Sequence, residues 1–340
     1  MNKPSGIFLM SAQDFDLVYG PDERAEIAEL VDVYPIPQTP QTIRANPSIL
    51  SGVDMIFSGW GMCEVNHEFL KSAPKLRAVF HAGGGAGHIA TPAAIARGIT
   101  VTTAQSANAT PVAEYTLATV IFSLKHGWAL SQQTHDRQGF VDRNEAPGCF
   151  GRTVGLISLG MIGRKVIELL RHIDVNVIVY DPFLATHEAI GLGIEKVTLD
   201  EVFRRSEVVS LHSPSTPETY GMITGRHIAS MKKGATFINT ARGEIVRETE
   251  MIEVLRSRPD LHAVLDVTFP EPPVKDSPLY VLPNVTLTPH IAGSVGQECR
   301  RMSQCMIEEL KRYLNGLPLK WQITPRIETT VRQQAIAAAI

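Results

Sequence analysis

Arg242 in NTARG, Glu271 in FPEPP and His290 in TPHIAG each follow an apolar run of strand length. A guanidinium pairs with a carboxylate and polarises a carbonyl beside it. A histidine exchanges a proton near neutral pH, and a neighbouring carboxylate stabilises its imidazolium form and fixes the ring. Such a trio suits the interconversion of a carbonyl and an alcohol next to a carboxylate, given a carrier for the hydride.

The stretch TVGLISLGMIGRKVIELLRHIDVNVIVYD, from Thr153 to Asp181, suits that carrier. Val154–Leu159 is an apolar run of strand length, Met161–Leu170 has helical apolar spacing, and Val175–Tyr180 is a second β-branched run ending on an acid. This is a strand, crossover helix, strand unit, which closes right-handed into a parallel sheet. Gly160 and Gly163 leave the turn open to a pyrophosphate facing the helix N-terminus, with Ser158, Met161 and Ile162 completing the cradle. Asp181 stands where a carboxylate accepts hydrogen bonds from an adenosine ribose. That acid, with no arginine directly after it, favours NAD over NADP. The motif reads S-x-G-x-x-G, because Ser158 occupies the place of the first glycine.

Other elements must bring these groups together. Val208–Leu211 leads into HSPSTPET, Lys233–Asn239 into TARG, His262–Val267 into TFPEPP and Val285–Thr288 into PHIAG. In a parallel sheet the four following loops gather at the carboxyl edge and deliver His212, Arg242, Glu271 and His290. Upstream, Gly6–Met10, Val53–Ser58, Leu76–His81 and Ile99–Thr103 read as strands, alternating with helical stretches at Asp22–Leu30 and around Glu64–Lys71. After the third of these strands comes HAGGGAGHIA, where Gly83, Gly84 and Gly85 expose main-chain N–H groups. This is either a nest for a carboxylate or a surface loop. Trp60 in SGWGM either faces a ligand or packs in the core, whereas His81, His88, His126 and His135 read as structural or surface residues. Asn108–Leu130 predicts one long apolar helix with Pro111 near its first turn, buried between domains or subunits. His135–Phe150 predicts a surface arm, and Gln297–Leu314 a helix capped at Asn315-Gly316.

The bulk composition, 44% hydrophobic and 20% charged, is that of an ordinary globular protein, and 340 residues suit about two domains. A net charge of −3 offers no nucleic-acid surface. Cys63, Cys149, Cys299 and Cys305 lack C-x-x-C spacing, so neither a metal site nor a disulfide framework is expected. No run reaches membrane length, and MNKPSGIFLM has too short an apolar core for a signal peptide. The expected location is the cytoplasm.

The blocks LRAVFHAGGGAG, ANATPVAEYTLA, TVGLISLGMIG, SEVVSLHSPSTPET, MKKGATFINTARGEIV, AVLDVTFPEPP and LTPHIAG resemble, in order and spacing, the D-isomer-specific 2-hydroxyacid dehydrogenases over roughly residues 76 to 320. The resemblance implies an α/β architecture of two Rossmann-like, doubly wound parallel-sheet domains with a cleft between them. The discontinuous substrate-binding, flavodoxin-like domain would comprise residues 1–105 and 297–340, and the NAD-binding domain residues 106–296, hinged near 105 and 297. It further implies that Arg242 binds and polarises the keto acid, that Glu271 and His290 form the acid/base pair, and that Asp266 contacts the nicotinamide amide. His212 and Thr240 would line the cofactor site, and Gly83, Gly84 and Gly85 would hold the substrate. A homodimer built on the long helix is implied as well.

Besides Ser158, the chain departs from the family at Gly87 and Ala90, where many members carry aspartates, and at Thr103, Ala104 and Gln105, where members read N-x-P. These remodel the loop facing the acid's side chain, so the keto acid stays open among glyoxylate, hydroxypyruvate, pyruvate, phenylpyruvate-like and phosphoglycerate-derived acids. The phosphorylated ones are disfavoured, because no basic cluster lies near the Gly83 loop. A second function is open on the same scaffold: an NAD(H)-responsive binding protein resembling the C-terminal-binding co-repressors. A methyltransferase is a third, in which the Arg/Glu/His set has no task.

Overall fold

The computed structural model describes residues 3–144 and 146–324. They form two compact units: the chain up to Asn108 together with the chain from Ser294, and Ala109–Gly293. Among the described residues no helix is long and apolar enough to cross a membrane.

The first unit is built on a parallel sheet of β1 (Ser5–Leu9), β2 (Asp32–Val33), β3 (Met55–Ser58), β4 (Ala78–His81) and β5 (Thr100–Thr103), in the order β2-β1-β3-β4-β5. This is the flavodoxin-like winding, with helices on both faces. Accordingly β3 and β4 are buried at every residue, each apolar up to the polar residue that ends it, Ser58 and His81. On one face Cys299, Met302, Met306, Ile307 and Leu310 of the helix Cys299–Leu314 pack against Phe8, Phe57 and Phe80. Their i, i+3, i+4 spacing is the stripe that predicts this helix. Its buried Glu309 accepts hydrogen bonds from the backbone N–H groups of Lys320 and Trp321. The chain there runs along β5, with Gln322 bridging Thr102 antiparallel and Ile323 N–H donating to Val101 O. The edge strand is thereby covered.

The second unit contains β6 (Arg152–Ile157), β7 (Val175–Tyr180), β8 (Glu195–Lys196), β9 (Val208–Leu211), β10 (Thr236–Asn239), β11 (His262–Leu265) and β12 (Val285–Leu287). All pairs are parallel, in the order β12-β11-β10-β9-β6-β7-β8. The order reverses between β6 and β9, and a crevice outside the carboxyl ends of such strands is where α/β sheets bind ligands.

The long helix departs from expectation in two ways. It starts at Gln105, so Pro111 lies in its interior, and it ends at Leu124. His126 then takes a left-handed conformation (φ 52°) and a second helix covers Gly127–Arg137. At the break Gly127 lies against the Phe122 ring, where a Cβ would come within 2.5 Å. Residues 325 to 340, the last part of the expected substrate-binding domain, lie outside the described residues.

Candidate active site

At the head of the second unit, Ser158 adopts φ 78°, a conformation glycine takes without penalty and serine at a cost of about 1–2 kcal/mol. Serine thus keeps the backbone path that the absent glycine would give. Gly163 cannot change, since a Cβ there would lie 2.5 Å from the Ser158 carbonyl oxygen. Gly160 caps the helix Met161–Leu170, and a Cβ on it would meet nothing within 4 Å, so its open side can admit a pyrophosphate. Met161 is exposed and Ile162 half-buried beside it. Asp181 is buried; its carboxylate accepts from the N–H groups of Leu159 (2.7 Å), Phe183 (2.7 Å) and Leu184 (3.1 Å). A carboxylate has about four lone-pair sites, so one is left for a ribose hydroxyl.

On the other side of the strand-order reversal, both ring nitrogens of His212 are buried without a hydrogen-bond partner, as is the Thr240 hydroxyl. Burial pushes the His212 imidazole down to about 4, so it is neutral. These groups follow β9 and β10, neighbouring strands of the sheet. Unpaired buried polar atoms cost about 1–3 kcal/mol each, and two side chains of this kind at the carboxyl edge fit a polar cofactor.

The loop after β10 is pinned by buried Asn239, which donates to Arg242 O (3.0 Å) and accepts from Ala241 N–H (3.0 Å). The Arg242 side chain is exposed and, among the described residues, forms no ion pair with a carboxylate; its Nη1 donates to Ala241 O at 2.6 Å. The next residue, Gly243, packs against the chain leading to Glu271: a Cβ would lie 2.1 Å from the Thr268 carbonyl and 2.6 Å from Phe269 N. Phe269 N–H in turn donates to Glu248 (3.0 Å), whose carboxyl is raised above its usual range by burial.

Glu271 Oε1 lies 2.6 Å from His290 Nδ1. An ionised carboxylate only accepts, so Nδ1 carries the proton and Nε2 is left to exchange one. His290 sits at φ 55°, a strained angle that persists only where the surroundings enforce it. Asp266 does so, for its backbone oxygen accepts from His290 N–H, and its buried carboxylate accepts from Ile291 N–H (2.8 Å), Ala292 N–H (2.9 Å) and the Thr288 hydroxyl (2.6 Å). Thr288 spends its one proton there, so the Tyr115 hydroxyl donates to Thr288 (3.1 Å). One acceptor position of Asp266 stays open for an amide.

In the first unit the loop after β4 has Gly84, Gly85 and Gly87 with open space or only distant contact where a Cβ would stand. Gly83 is different, because His81 Nε2 would lie 2.5 Å from its Cβ. His81 is buried and pairs through Nδ1 with the Ser58 hydroxyl (2.9 Å), a structural bond across β3 and β4 that the sequence does not reveal. Trp60 is about one-third exposed, at 36%, in the loop after β3. Asn239, Gly243, Glu248, Thr288 and Tyr115 are also missed by motif reading; only Gly243, directly after a candidate arginine, carried a local signal.

A wound parallel sheet with its polar groups at the strand-order reversal defines a dinucleotide-binding protein. The sequence profile described as "D-isomer specific 2-hydroxyacid dehydrogenase, NAD binding domain" matches residues 117–292. D-3-phosphoglycerate dehydrogenase of Mycobacterium leprae is 36% identical over 259 residues, covering 74% of this chain and 48% of that protein. The Archaeoglobus fulgidus protein of the same name is 32% identical over 268 residues, covering 78% of this chain and 50% of its own. The chain thus spans about half the length of these relatives. A phosphoglycerate oxidoreductase from Rhizobium etli shares the fold with a TM-score of 0.79 at 21% identity, over 96% of this chain and 100% of that one. The chain belongs to the D-isomer specific 2-hydroxyacid dehydrogenase family, and its cofactor is NAD.

Proposed function

We propose that the protein interconverts a small D-2-hydroxy acid and its 2-keto acid with NAD(H). The observation that carries this is the 2.6 Å pairing of Glu271 with His290 Nδ1, which dedicates Nε2 to proton exchange. When bound, NADH supplies the hydride to the keto carbon. Arg242, in no ion pair among the described residues and pinned through its backbone, takes the carboxylate and polarises the carbonyl. His290 Nε2 delivers the proton to the carbonyl oxygen, and Glu271 stabilises the imidazolium before transfer and keeps the ring in place afterwards. Ser158, Gly160, Met161 and Ile162 receive the pyrophosphate, Asp181 the ribose, and His212, Thr240 and Asp266 polar edges of the cofactor. Gly83, Gly84 and Gly85 form an anion-binding loop in the first unit.

The substrate is proposed to be unphosphorylated, because the segments Ser58–Asn66 and His81–Thr91 contain no lysine or arginine. The relatives named for phosphoglycerate make this the point to test. A homodimer is supported by the arm's fully exposed Phe140 and the exposed Phe150. A cytoplasmic location is supported by the four free cysteines. NADH oxidation should be followed at about 340 nm against glyoxylate, hydroxypyruvate, pyruvate, phenylpyruvate and phosphohydroxypyruvate, with NADPH in parallel. Turnover with NADH and an unphosphorylated acid is expected. Tight NADH binding without turnover of any acid would overturn the enzyme reading in favour of a nucleotide-responsive binding protein.

A further inference from the structure

The hydrogen bonds on the buried Asp266 carboxylate are unevenly shared between its two oxygens. Oδ1 accepts from the Thr288 hydroxyl (2.6 Å) and from Ile291 N–H (2.8 Å), whereas Oδ2 accepts only from Ala292 N–H (2.9 Å). A carboxylate oxygen takes about two bonds, so the open position lies on Oδ2. Its direction depends on rotation of the carboxylate about its last side-chain bond, a torsion that is broad and roughly two-fold by nature. The bonding partners must therefore fix it. Ile291 and Ala292 are consecutive residues of the loop that carries His290, and on their own they would let the carboxylate follow that loop. Thr288 is held from elsewhere as well. Its backbone N–H donates to Leu265 O (3.0 Å), and its hydroxyl, whose proton goes to Asp266, accepts from the Tyr115 hydroxyl (3.1 Å) in the middle of the helix Gln105–Leu124. Tyr115 is half-buried, and burial raises its phenol above the usual range, so it stays a donor.

From this chain of bonds we infer that Thr288 and Tyr115 are positioning residues that aim the open acceptor of Asp266 and thereby make the site select a nicotinamide ring bearing a carboxamide N–H donor. The inference rests on the proposed contact of Asp266 with the cofactor amide. Both hydroxyls act through Asp266, and neither is asked to touch the cofactor. Packing alone does not call for them, because valine and phenylalanine have the shapes of these two side chains without the hydrogen bonds. The helix end of the relay is what makes the aim independent of the His290 loop, since a hydrogen-bonded helix is the stiffer support.

The test compares NAD with its 3-acetylpyridine analogue, in which a methyl group replaces the amide nitrogen. Dissociation constants measured by calorimetry on the full chain without substrate read the preference and need no turnover. A hydrogen bond to a charged acceptor should make the unmodified chain bind NAD roughly 10- to 100-fold more tightly than the analogue. Thr288→Val should cut that ratio to about 3-fold or less by weakening NAD and leaving the analogue nearly unchanged, whereas Thr288→Ser, which keeps the hydroxyl, should preserve it. Tyr115→Phe should lower the ratio by about 3- to 10-fold alone and add nothing in the Thr288→Val background, because it acts only through that hydroxyl. Equal weakening of both dinucleotides in Thr288→Val and Tyr115→Phe would assign the pair to the fold alone and overturn the inference. An unchanged ratio, or effects that multiply in the double variant, would overturn it too. Equal affinity of the unmodified chain for the two dinucleotides would overturn it through its premise, by taking the amide away from Asp266. NADH oxidation by the unmodified chain with the panel of keto acids, run beside the titrations, keeps any of these failures distinct from failure of the dehydrogenase reading.

Discussion

The role proposed for Arg242 depends on where its neighbours hold it. Asn239 fixes the backbone on both sides of the turn, and Gly243 presses that turn against Thr268 and Phe269, so the arginine loop and the Glu271 loop are set by one contact. Arg242→Ala is expected to lose about two to four orders of magnitude in kcat/KM with a keto acid, since orientation and polarisation go together. Turnover near the unmodified rate would sink the assignment. Gly243→Ala keeps every side chain of the proposed trio but pushes a Cβ into the Thr268 carbonyl. A misplacement of about 1 Å costs on the order of 100-fold, so kcat should fall 10- to 100-fold while the NADH dissociation constant hardly moves. Parallel steady-state kinetics and fluorescence titration would separate the two, and an unchanged kcat would show that the turn yields without moving Arg242. Residue types and blocks singled out Arg242, Glu271 and His290 in the sequence, and the structure sets Glu271 against His290. The clamp by Asp266, Thr288 and Tyr115 was not, because it joins side chains far apart in sequence through single hydrogen bonds.

Among elements, those with a strong period were readable. Met161–Leu170 and Val175–Tyr180 have the bounds their patterns predict, and the apolar stripe of Cys299–Leu314 marks that helix within two residues at its start. The two-residue edge strands β2 and β8 carry no period at all, and only pairing with β1 and β7 creates them. The break at His126 was hidden for a related reason, since apolar residues continue across it. Covering of β5 is a third long-range device: Glu309 accepts the N–H groups of Lys320 and Trp321 from within the buried helix. Glu309→Gln retains the shape but turns one acceptor oxygen into a donor group facing an N–H. A loss of roughly 1–3 kcal/mol is expected in urea unfolding of the first unit, with proteolysis gained after Leu317. A change below about 0.5 kcal/mol would mean that the strand pairing alone holds the segment.

At the scale of the whole molecule, neutral histidines are distributed over both units. His81 in the first and His212 and His262 in the second are each pushed down to about 4, in every case chiefly by burial. Unfolded, each returns to about 6.5. Between those values the unfolded chain binds more protons than the folded one, so stability falls as pH drops from about 6.5 toward 4 and levels off below. Above 6.5 these groups contribute no slope. Each histidine can add up to about 1.4 kcal/mol per pH unit inside the window. Since the three are divided between separate cores, acid lability should appear in both units rather than in one. Urea unfolding at pH 7.5 and pH 5, followed by hydrogen exchange at peptides from each unit, should show protection lost from both. His262→Gln keeps a bond to Thr286 within reach yet cannot titrate, so it should reduce the pH slope of the second unit, leaving the part due to His212, and leave the first unchanged. An identical slope in that variant would mean that carboxylates, not buried imidazoles, govern the acid limit.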